Sequence, residues 1–147
     1  MPTKLTPVDY RKLNARQKEN FNFQKVSAIL ADYGFVTLRL TDDWQGADFI
    51  ASHIDGTFVR VQLKGRLDFR RKYLGKDIWV AFHDKTHDEW YLYPHDELLE
   101  SMKSAKLVVQ SIAWQNGGYS FASLSPKIRQ LLEPYLIGKT PFRKFNE

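Results

Sequence analysis

The sequence has no cysteine, which excludes disulfides, zinc knuckles and thiol nucleophiles. It has no apolar run long enough to cross a membrane and no signal-like start, so we expect a cytoplasmic protein without a membrane segment. It also lacks the glycine-rich loops that bind phosphates in Walker-type or dinucleotide-binding proteins. A chain of 147 residues with no internal repeat or linker predicts a single domain over residues 1–147.

Positive charge is in modest excess. The chain carries 22 lysines and arginines against 17 aspartates and glutamates, which gives a net charge of +5. This excess favours a polyanionic partner, although many basic proteins bind no nucleic acid. The two ends, residues 1–13 and 139–147, are basic and are predicted to form arms of the domain.

The chain is organised around residues 41–66, which read TDDWQGADFIASHIDGTFVRVQLKGR. Asp48 stands at the start of a short apolar segment, and Asp55-Gly56 is a strong turn signal before a second segment, Phe58–Lys64. The second segment alternates strictly, as a half-buried strand does. Its two rows are predicted to face the core (Val59, Val61, Leu63) and the outside (Arg60, Gln62, Lys64).

The loop of this hairpin decides whether its polar residues meet. A two-residue turn at Asp55-Gly56 would place Asp48 opposite Leu63, on the wrong face. A three-residue loop over residues 54–56, with Gly56 left-handed, pairs His53 with Thr57 and places Asp48 opposite Gln62. We therefore expect the three-residue loop if the hairpin carries a site.

An acid in a Gly-x-Asp strand, followed by a hairpin and an acid-x-Lys strand, resembles the signature of the PD-(D/E)XK nuclease superfamily. Gly46-Ala47-Asp48 matches the first half, and Gln62-Leu63-Lys64 matches the second as a Gln-x-Lys variant. The resemblance implies an α+β fold (an α/β sandwich) with a restriction endonuclease-like core. In such a core an N-terminal helix precedes a mixed β-sheet with a metal-binding hairpin, and further helices flank the sheet.

The resemblance also implies a site and a cofactor. Asp48 would be the main ligand of Mg²⁺, with Mn²⁺ as a substitute, and Gln62, the backbone carbonyl of Leu63 and Glu19 would complete the ligand set. Lys64 would orient or help deprotonate the attacking water and stabilise the developing charge. Gln62 departs from the usual acid, because an amide oxygen can bind a hard cation but brings no charge.

Glu19 belongs to a helix predicted from an Asn14–Gln17 capping box to about Tyr33, with Gly34 as the stop. Superfamily members often place a supplementary carboxylate in this helix. The alternative is that Glu19 only favours the positive end of the helix and is solvated; Asn22, one turn later, is a second candidate. A strand over Phe35–Leu40 follows.

Residues 64–76 hold six cations and one acid. Alternation over residues 67–70 predicts extended chain, whereas the superfamily core usually has a helix here. These cations would contact DNA phosphates without reading sequence; the alternative is a solvated charged loop. The candidate nucleic-acid-binding residues are Arg60, Arg66, Arg70, Arg71, Lys72 and Lys76.

The residues after position 76 are predicted to form strands and helices with a structural role. Strands are expected over residues 77–82 and 90–93, a late hairpin pairs residues 107–112 with 119–121, and Ser125-Pro126 begins a last helix. His83 and His87 flank a polar turn and are expected to be solvated.

Together these features predict a Mg²⁺-dependent endonuclease that hydrolyses phosphodiester bonds in double-stranded DNA, of a homing or restriction-like kind. Because one metal site cuts one strand, we expect a homo-oligomer, a dimer or tetramer. Two alternatives stay open: a catalytically silent DNA-binding member of the same fold, and a small basic module that binds RNA or protein.

Overall fold

The computed structural model describes residues 4–108 and 111–141. The helices of this part of the chain are α1 (Ala15–Ala31), α2 (His95–Ser104), α3 (Ile112–Gln115) and α4 (Pro126–Leu132), with short 3-10 turns at Tyr10–Lys12, Arg71–Tyr73 and Glu133–Tyr135. The strands are β1 (Phe35–Trp44), β2 (Ala47–His53), β3 (Phe58–Lys64), β4 (Leu67–Arg70), β5 (Ile78–Asp84), β6 (Glu89–Pro94), β7 (Gly118–Phe121) and β8 (Leu136–Gly138).

Six strands form one mixed sheet in the order β1-β2-β3-β5-β6-β8, and β4 and β7 form a small second sheet. Only the β3–β5 pair is parallel among the described strands of the large sheet, because residues 65–77 cross over between them. Helices, a large mixed sheet and their order along the chain give the predicted α+β, nuclease-like class of fold.

Helix α1 begins where the sequence predicts. The Asn14 side chain accepts from the Gln17 backbone N–H at 2.8 Å, and the Gln17 side chain accepts from the Asn14 N–H at 2.9 Å, so the capping box is complete. The helix ends at Ala31, and Gly34 follows with a φ of +85°. The helix was predicted to run to about Tyr33, but Tyr33 lies beyond its end and is exposed.

Two hydrophobic cores cover opposite faces of the large sheet. Helix α1 buries Val26, Ile29 and Leu30 against one face, which includes Phe49, Val61, Ala81 and Trp90. The other face is covered by α2, α4 and the small sheet, which pack on Val80, Phe82, Tyr91 and Tyr93. Burial on both sides explains why β5 and β6 are largely apolar in both rows.

The β2–β3 hairpin has the predicted register. Phe49 pairs with Val61 and Ala51 with Val59, and the His53 N–H donates to the Thr57 carbonyl at 2.8 Å. Gly56 has a φ of +92°, as a three-residue loop requires. Continued along the strands, this register places Asp48 opposite Gln62.

Asp55 stabilises the hairpin loop. Its carboxylate accepts from the Thr57 hydroxyl at 2.6 Å and from the Thr57 N–H at 2.8 Å. These bonds and a weaker one from His53 lower the pKa of Asp55 to about 2, so the loop keeps its charged acceptor throughout the neutral and mildly acidic range.

Two features of the strands differ from the sequence-based expectation. Strand β1 continues to Trp44 and turns at Gln45-Gly46, where both φ angles are positive, instead of ending at Leu40. The prediction of a late hairpin is wrong, because β7 pairs with β4 and Ile112–Gln115 is helical. Pairing with β7 covers Leu67 and Phe69 of β4, which are fully buried. The extended chain over residues 67–70 is confirmed.

The prediction that His83 is solvated is also wrong, whereas His87 is exposed. His83 is half-buried, stacks on Trp90 with ring centroids 4.8 Å apart, and lies 2.7 Å from Asp88 Oδ1, so it is not solvated. Of the predicted arms, residues 1–3 and 142–147 lie outside the described residues. No described helix has the length and apolar character needed to span a bilayer.

The small sheet gives a test of the fold. A Cβ at Gly118 would lie 1.8 Å from the Phe69 carbonyl oxygen, so Gly118→Ala must push β7 away from β4. We expect a loss of about 1–3 kcal/mol in the free energy of unfolding, as for other overpacked sites.

Gly65→Ala is the control, because no atom of the described residues lies within 4 Å of the Cβ that this change adds, and we expect a change within about 0.5 kcal/mol. Denaturant unfolding measures both variants. Equal stability of the two would contradict the close β4–β7 approach.

Candidate active site

A cavity of about 480 Å³ lies between the first turns of α1 and the open end of the β2–β3 hairpin, where β2 begins and β3 ends. All five residues that the resemblance implicates line it: Glu19, Asp48, Gln62, Leu63 and Lys64. The rest of its wall consists of Tyr10, Ala15, Lys18, Asn22, Phe23, Arg39, Phe49 and Gly65. The fold thus brings the predicted residues into one cavity.

Asp48 is held at the start of β2. Its Oδ2 accepts from the Leu63 backbone N–H at 2.9 Å, which is a charge-assisted bond across the hairpin. This bond fixes the carboxylate beside Gln62, its cross-strand neighbour in the register that runs from Phe49–Val61.

Gln62 is buried, with 8% of its surface exposed, and the prediction that it faces outward is wrong. It lies in the middle of the sheet, between β2 and β5, where it pairs with Val80. Its Oε1 is buried and has no hydrogen-bond partner among the described residues. Such orphaned buried oxygens are rare and costly in folded proteins.

An orphaned amide oxygen in the same cavity as a carboxylate fits a hard divalent cation. Mg²⁺ prefers oxygen ligands, and the described lining of the cavity offers Asp48, Gln62 and Glu19 as oxygen donors. The cavity therefore has a donor set of the right chemistry for this ion.

Lys64 is half-buried rather than on a surface row, with 25% of its side chain exposed. Its Nζ lies 3.9 Å from Asp68 Oδ2 and 5.6 Å from the centre of the Tyr73 ring. Burial lowers the pKa of Lys64, while Asp68 and, more weakly, Asp48 oppose that shift. The ammonium is thus partly desolvated, which strengthens its field in the cavity.

Asp68 is a residue that the sequence reasoning passed over. It is buried, and both of its oxygens accept from Arg70, each at 2.8 Å. The same carboxylate holds Lys64, four residues earlier. The sequence signal was present, since Asp68 is the lone acid among the six cations of residues 64–76.

Glu19 lies at the exposed mouth of the cavity. Its Oε2 is 3.7 Å from Arg39 Nη2, and Arg39 also donates to Asn20. Asn22 donates to the Tyr10 hydroxyl at 2.9 Å. Arg39 and Tyr10 come from a strand and a 3-10 turn whose closeness to the hairpin no local sequence pattern indicates.

The six candidate nucleic-acid-binding residues are distributed unevenly. Arg60 is half-buried and donates to Gln45 at 2.7 Å, and Arg70 is engaged by Asp68. Arg66 and Lys76 are exposed, and Arg66 lines a different cavity from the one at Asp48. The exposed pair Arg71 and Lys72 lines a shallow groove of about 510 Å³, here called the basic groove, together with Lys64, Arg70, Gln115, Asn116 and Gly117.

Lys64 lines both the cavity and the basic groove. A site of oxygen donors is therefore continuous with a positively charged surface. This arrangement suits a polyanion that lies along the groove and places one phosphate at the cavity.

No protein-family model matches the chain, and no curated protein matches it. Among solved structures, it is similar to that of a bacterial homing endonuclease, I-Ssp6803I, with a TM-score of 0.55 at 14% identity. The similarity covers 84% of this chain and 89% of the other. The fold is nuclease-like. At this identity the similarity shows the fold alone.

A second group of potential metal ligands lies elsewhere, around the β5–β6 turn. Ligand atoms of Asp84, His87 and Glu89 lie within 4.8 Å of one another and could hold a metal ion. Their charges already have partners, because His87 Nδ1 lies 2.8 Å from Asp84 and Glu89 accepts from Arg129 at 2.6 Å. The cavity at Asp48 is therefore the stronger candidate for a catalytic centre.

The orphaned oxygen of Gln62 predicts an unusual stability effect. Gln62→Met keeps the length of the side chain and removes the unpaired oxygen, so in metal-free buffer the free energy of unfolding should stay within about 1 kcal/mol or rise. Thermal or denaturant unfolding is the measurement.

Gln45→Met is the matched control. The Gln45 oxygen accepts from Arg60 at 2.7 Å, so its removal should cost about 0.5–1.5 kcal/mol. A loss above about 2 kcal/mol for Gln62→Met would mean that the Gln62 amide has a partner in the folded protein.

Proposed function

We propose that this protein is a Mg²⁺-dependent DNA endonuclease of the PD-(D/E)XK kind, which hydrolyses phosphodiester bonds at specific sites in double-stranded DNA, as a homing or restriction-like enzyme. The observation that carries this proposal is the buried, unpaired Oε1 of Gln62 in one cavity with Asp48 and Lys64. A polar atom left unpaired in a buried site is a common sign of an absent ligand.

Asp48, Gln62, the carbonyl of Leu63 and Glu19 would hold the Mg²⁺, and Mn²⁺ would substitute for it. When bound, such an ion polarises a phosphoryl oxygen and makes a bound water a better nucleophile at neutral pH. Glu19 would have to turn from Arg39, 3.7 Å away, to join the ligand set. Asp48 and Gln62 therefore form the core of the proposed site.

Lys64 has the position to act on the reacting groups. Its ammonium borders the cavity and is held at 3.9 Å by Asp68. Partial burial both strengthens its attraction for a negatively charged transition state and lowers the cost of giving up a proton. Asp68 acts through Lys64 and Arg70 and does not line the cavity, so we assign it a positioning role.

Double-stranded DNA is the proposed partner. The basic groove would contact phosphates through Arg71 and Lys72, and the nuclease-like fold shared with a homing endonuclease supports the same class of substrate. Residues 1–147 would work as a single domain. Because each copy would cut one strand, cleavage of both strands requires a homo-oligomer, a dimer or tetramer.

The proposal is tested by cleavage of supercoiled plasmid DNA with Mg²⁺ or Mn²⁺. Asp48→Asn and Lys64→Met should each lower the rate by about two orders of magnitude or more, because each removes a charge at the reacting centre. Both should still bind duplex in Ca²⁺. Asn at position 48 can still accept from the Leu63 N–H, so the hairpin should keep its structure.

Asp32→Asn, at the exposed end of α1, is the charge-matched control and should cut at the wild-type rate. If the Lys64→Met protein folds and cuts DNA as fast as the wild type, the catalytic role proposed for Lys64 is contradicted. Cleavage that persists in EDTA would contradict the proposed requirement for a divalent metal ion.

A second candidate function follows from one observation, the neutral amide at position 62. Without a second acid, the site would bind a divalent ion weakly, and the protein would then be a catalytically silent DNA-binding member of the same fold. The plasmid assay separates the two, since the silent form binds duplex in a salt-dependent way and leaves every strand intact. Failure to bind duplex would favour an RNA-binding or protein-binding module.

The basic groove generates a further prediction. Arg71→Ala with Lys72→Ala should weaken binding to all duplex sequences alike, because phosphate contacts carry no sequence information. The slope of log K against log salt should become shallower by about 1.8, or about 0.9 for each lost phosphate contact.

Lys25→Ala with Lys127→Ala makes the same change in net charge on α1 and α4, outside the groove, and should leave the slope unchanged. The measurement is fluorescence anisotropy with labelled duplexes in Ca²⁺ at several salt concentrations. A loss confined to one target sequence would mean that the groove reads bases.

A further inference from the structure

An apolar face remains uncovered at one corner of the large sheet. Val36 and Leu38 of β1 are 71% and 66% exposed, and Phe58 of β3 is 56% exposed. Large aliphatic and aromatic side chains with this exposure, grouped on one surface, mark contact sites in soluble proteins. We call the surface formed by Val36, Leu38, Ile50 and Phe58 the open face.

The pairing register shows that these residues share one side of the sheet. Val36 is opposite Ser52, which is opposite Phe58, and Leu38 is opposite Ile50, which is opposite Arg60. The intervening row, which includes Thr37 and Arg39, faces α1, because Thr37 donates to Ser27 at 2.8 Å.

The open face lies on the same side of the sheet as the core under α2, α4 and the small sheet, but beyond the area that these elements cover. Leu40, two residues after Leu38 in the same row, still packs against that core. The cover of α2, α4 and the small sheet ends before Leu38 and Val36. The sheet thus presents the apolar row of a buried strand where no described element lies over it.

Strand β1 is also an edge of the sheet. Proteins usually protect exposed edges with charges, prolines or bulges. Residues 35–38 of β1 read FVTL, with neither a charge nor a proline. This segment therefore lacks the features that keep an edge from pairing with another chain.

We infer that the open face and the adjoining β1 edge bind a second copy of this chain. Arg60, the charged residue that pairs with Ile50 at the border of the open face, is already engaged by Gln45 at 2.7 Å and by Asp77 at 3.8 Å. Two copies can therefore meet here without opposing free charges, although each carries +5 overall. The same lack of available cations makes the surface unsuited to DNA phosphates.

A two-fold contact fits this surface, because an isologous interface joins one patch to itself. Two β1 edges related by such an axis run antiparallel, as β1 and β2 already do. The choice of a second copy rests in one respect on the proposed function, since cutting both DNA strands needs two sites. The apolar surface and its charge balance do not depend on that function.

The test is the mass of the purified protein by sedimentation velocity over a range of concentrations, without metal or DNA. The wild-type chain should form a dimer or a larger even-numbered oligomer. Val36→Lys with Leu38→Lys should sediment as a monomer, because it places like charges across the axis. Ile112→Lys is the control, since Ile112 is as exposed but lies on α3, and it should keep the wild-type mass.

A second variant covers the case in which the double lysine variant does not fold. The chain has no cysteine, so Leu38→Cys can be cross-linked by a bifunctional maleimide only to another copy. It should give a covalent dimer, and Ile112→Cys should not. A monomeric wild type, or equal cross-linking at the two positions, would overturn the inference.

The cleavage assay distinguishes this inference from the proposed function. If both hold, the monomeric lysine variant should nick plasmid DNA and form much less linear product. If the variant is monomeric but no form of the protein cuts DNA, the interface stands and the nuclease proposal fails. Unchanged mass with weaker duplex binding would assign the open face to DNA and overturn the inference.

Discussion

The hydrogen bond from the Leu63 backbone N–H to Asp48 Oδ2, 2.9 Å long, depends on a single choice of register in the β2–β3 hairpin. A slip of one residue would turn every side chain of β3 to the opposite face and separate Asp48 from Gln62. The three-residue loop, with Gly56 at a φ of +92° and Asp55 accepting from Thr57, selects the register observed. The placement of Asp48, Gln62 and Lys64 in the cavity follows from that loop.

The groups gathered by this register are expensive to bury. Gln62 Oε1 lacks a partner among the described residues, Lys64 is partly desolvated, and Asp68 is almost wholly buried. Asp68 is compensated by Arg70 and Lys64, whereas the Gln62 oxygen is not compensated by the described chain. Two cores on opposite faces of the sheet provide the stability that offsets such costs. A buried oxygen without a hydrogen-bond partner, placed in a cavity, is a feature typical of binding sites.

Local signals in the sequence predicted the parts of the site that local interactions determine. The capping box at Asn14 and the Asp55-Gly56 loop were both predicted, because each is decided within a few residues. The burial of Gln62 could not be predicted, since strand alternation describes a sheet with one solvated face, and the cover over β3 comes from residues far along the chain. The partner of β4 was missed for the same reason: β7 lies about 50 residues later, and such pairings leave no local pattern.

The two ends of β3 carry different surfaces. Phe58 begins the strand on the open face, and Lys64 ends it between the cavity and the basic groove. Seven residues of extended chain separate these ends by about 20 Å. A second copy bound at Phe58 would therefore leave Lys64 accessible to DNA. In the proposed assembly, the apolar row would serve contact between like-charged chains, and the cations are concentrated where a polyanion would lie. One strand could thus supply both the proposed interface and the proposed catalytic centre, because Phe58 and Lys64 lie at its opposite ends.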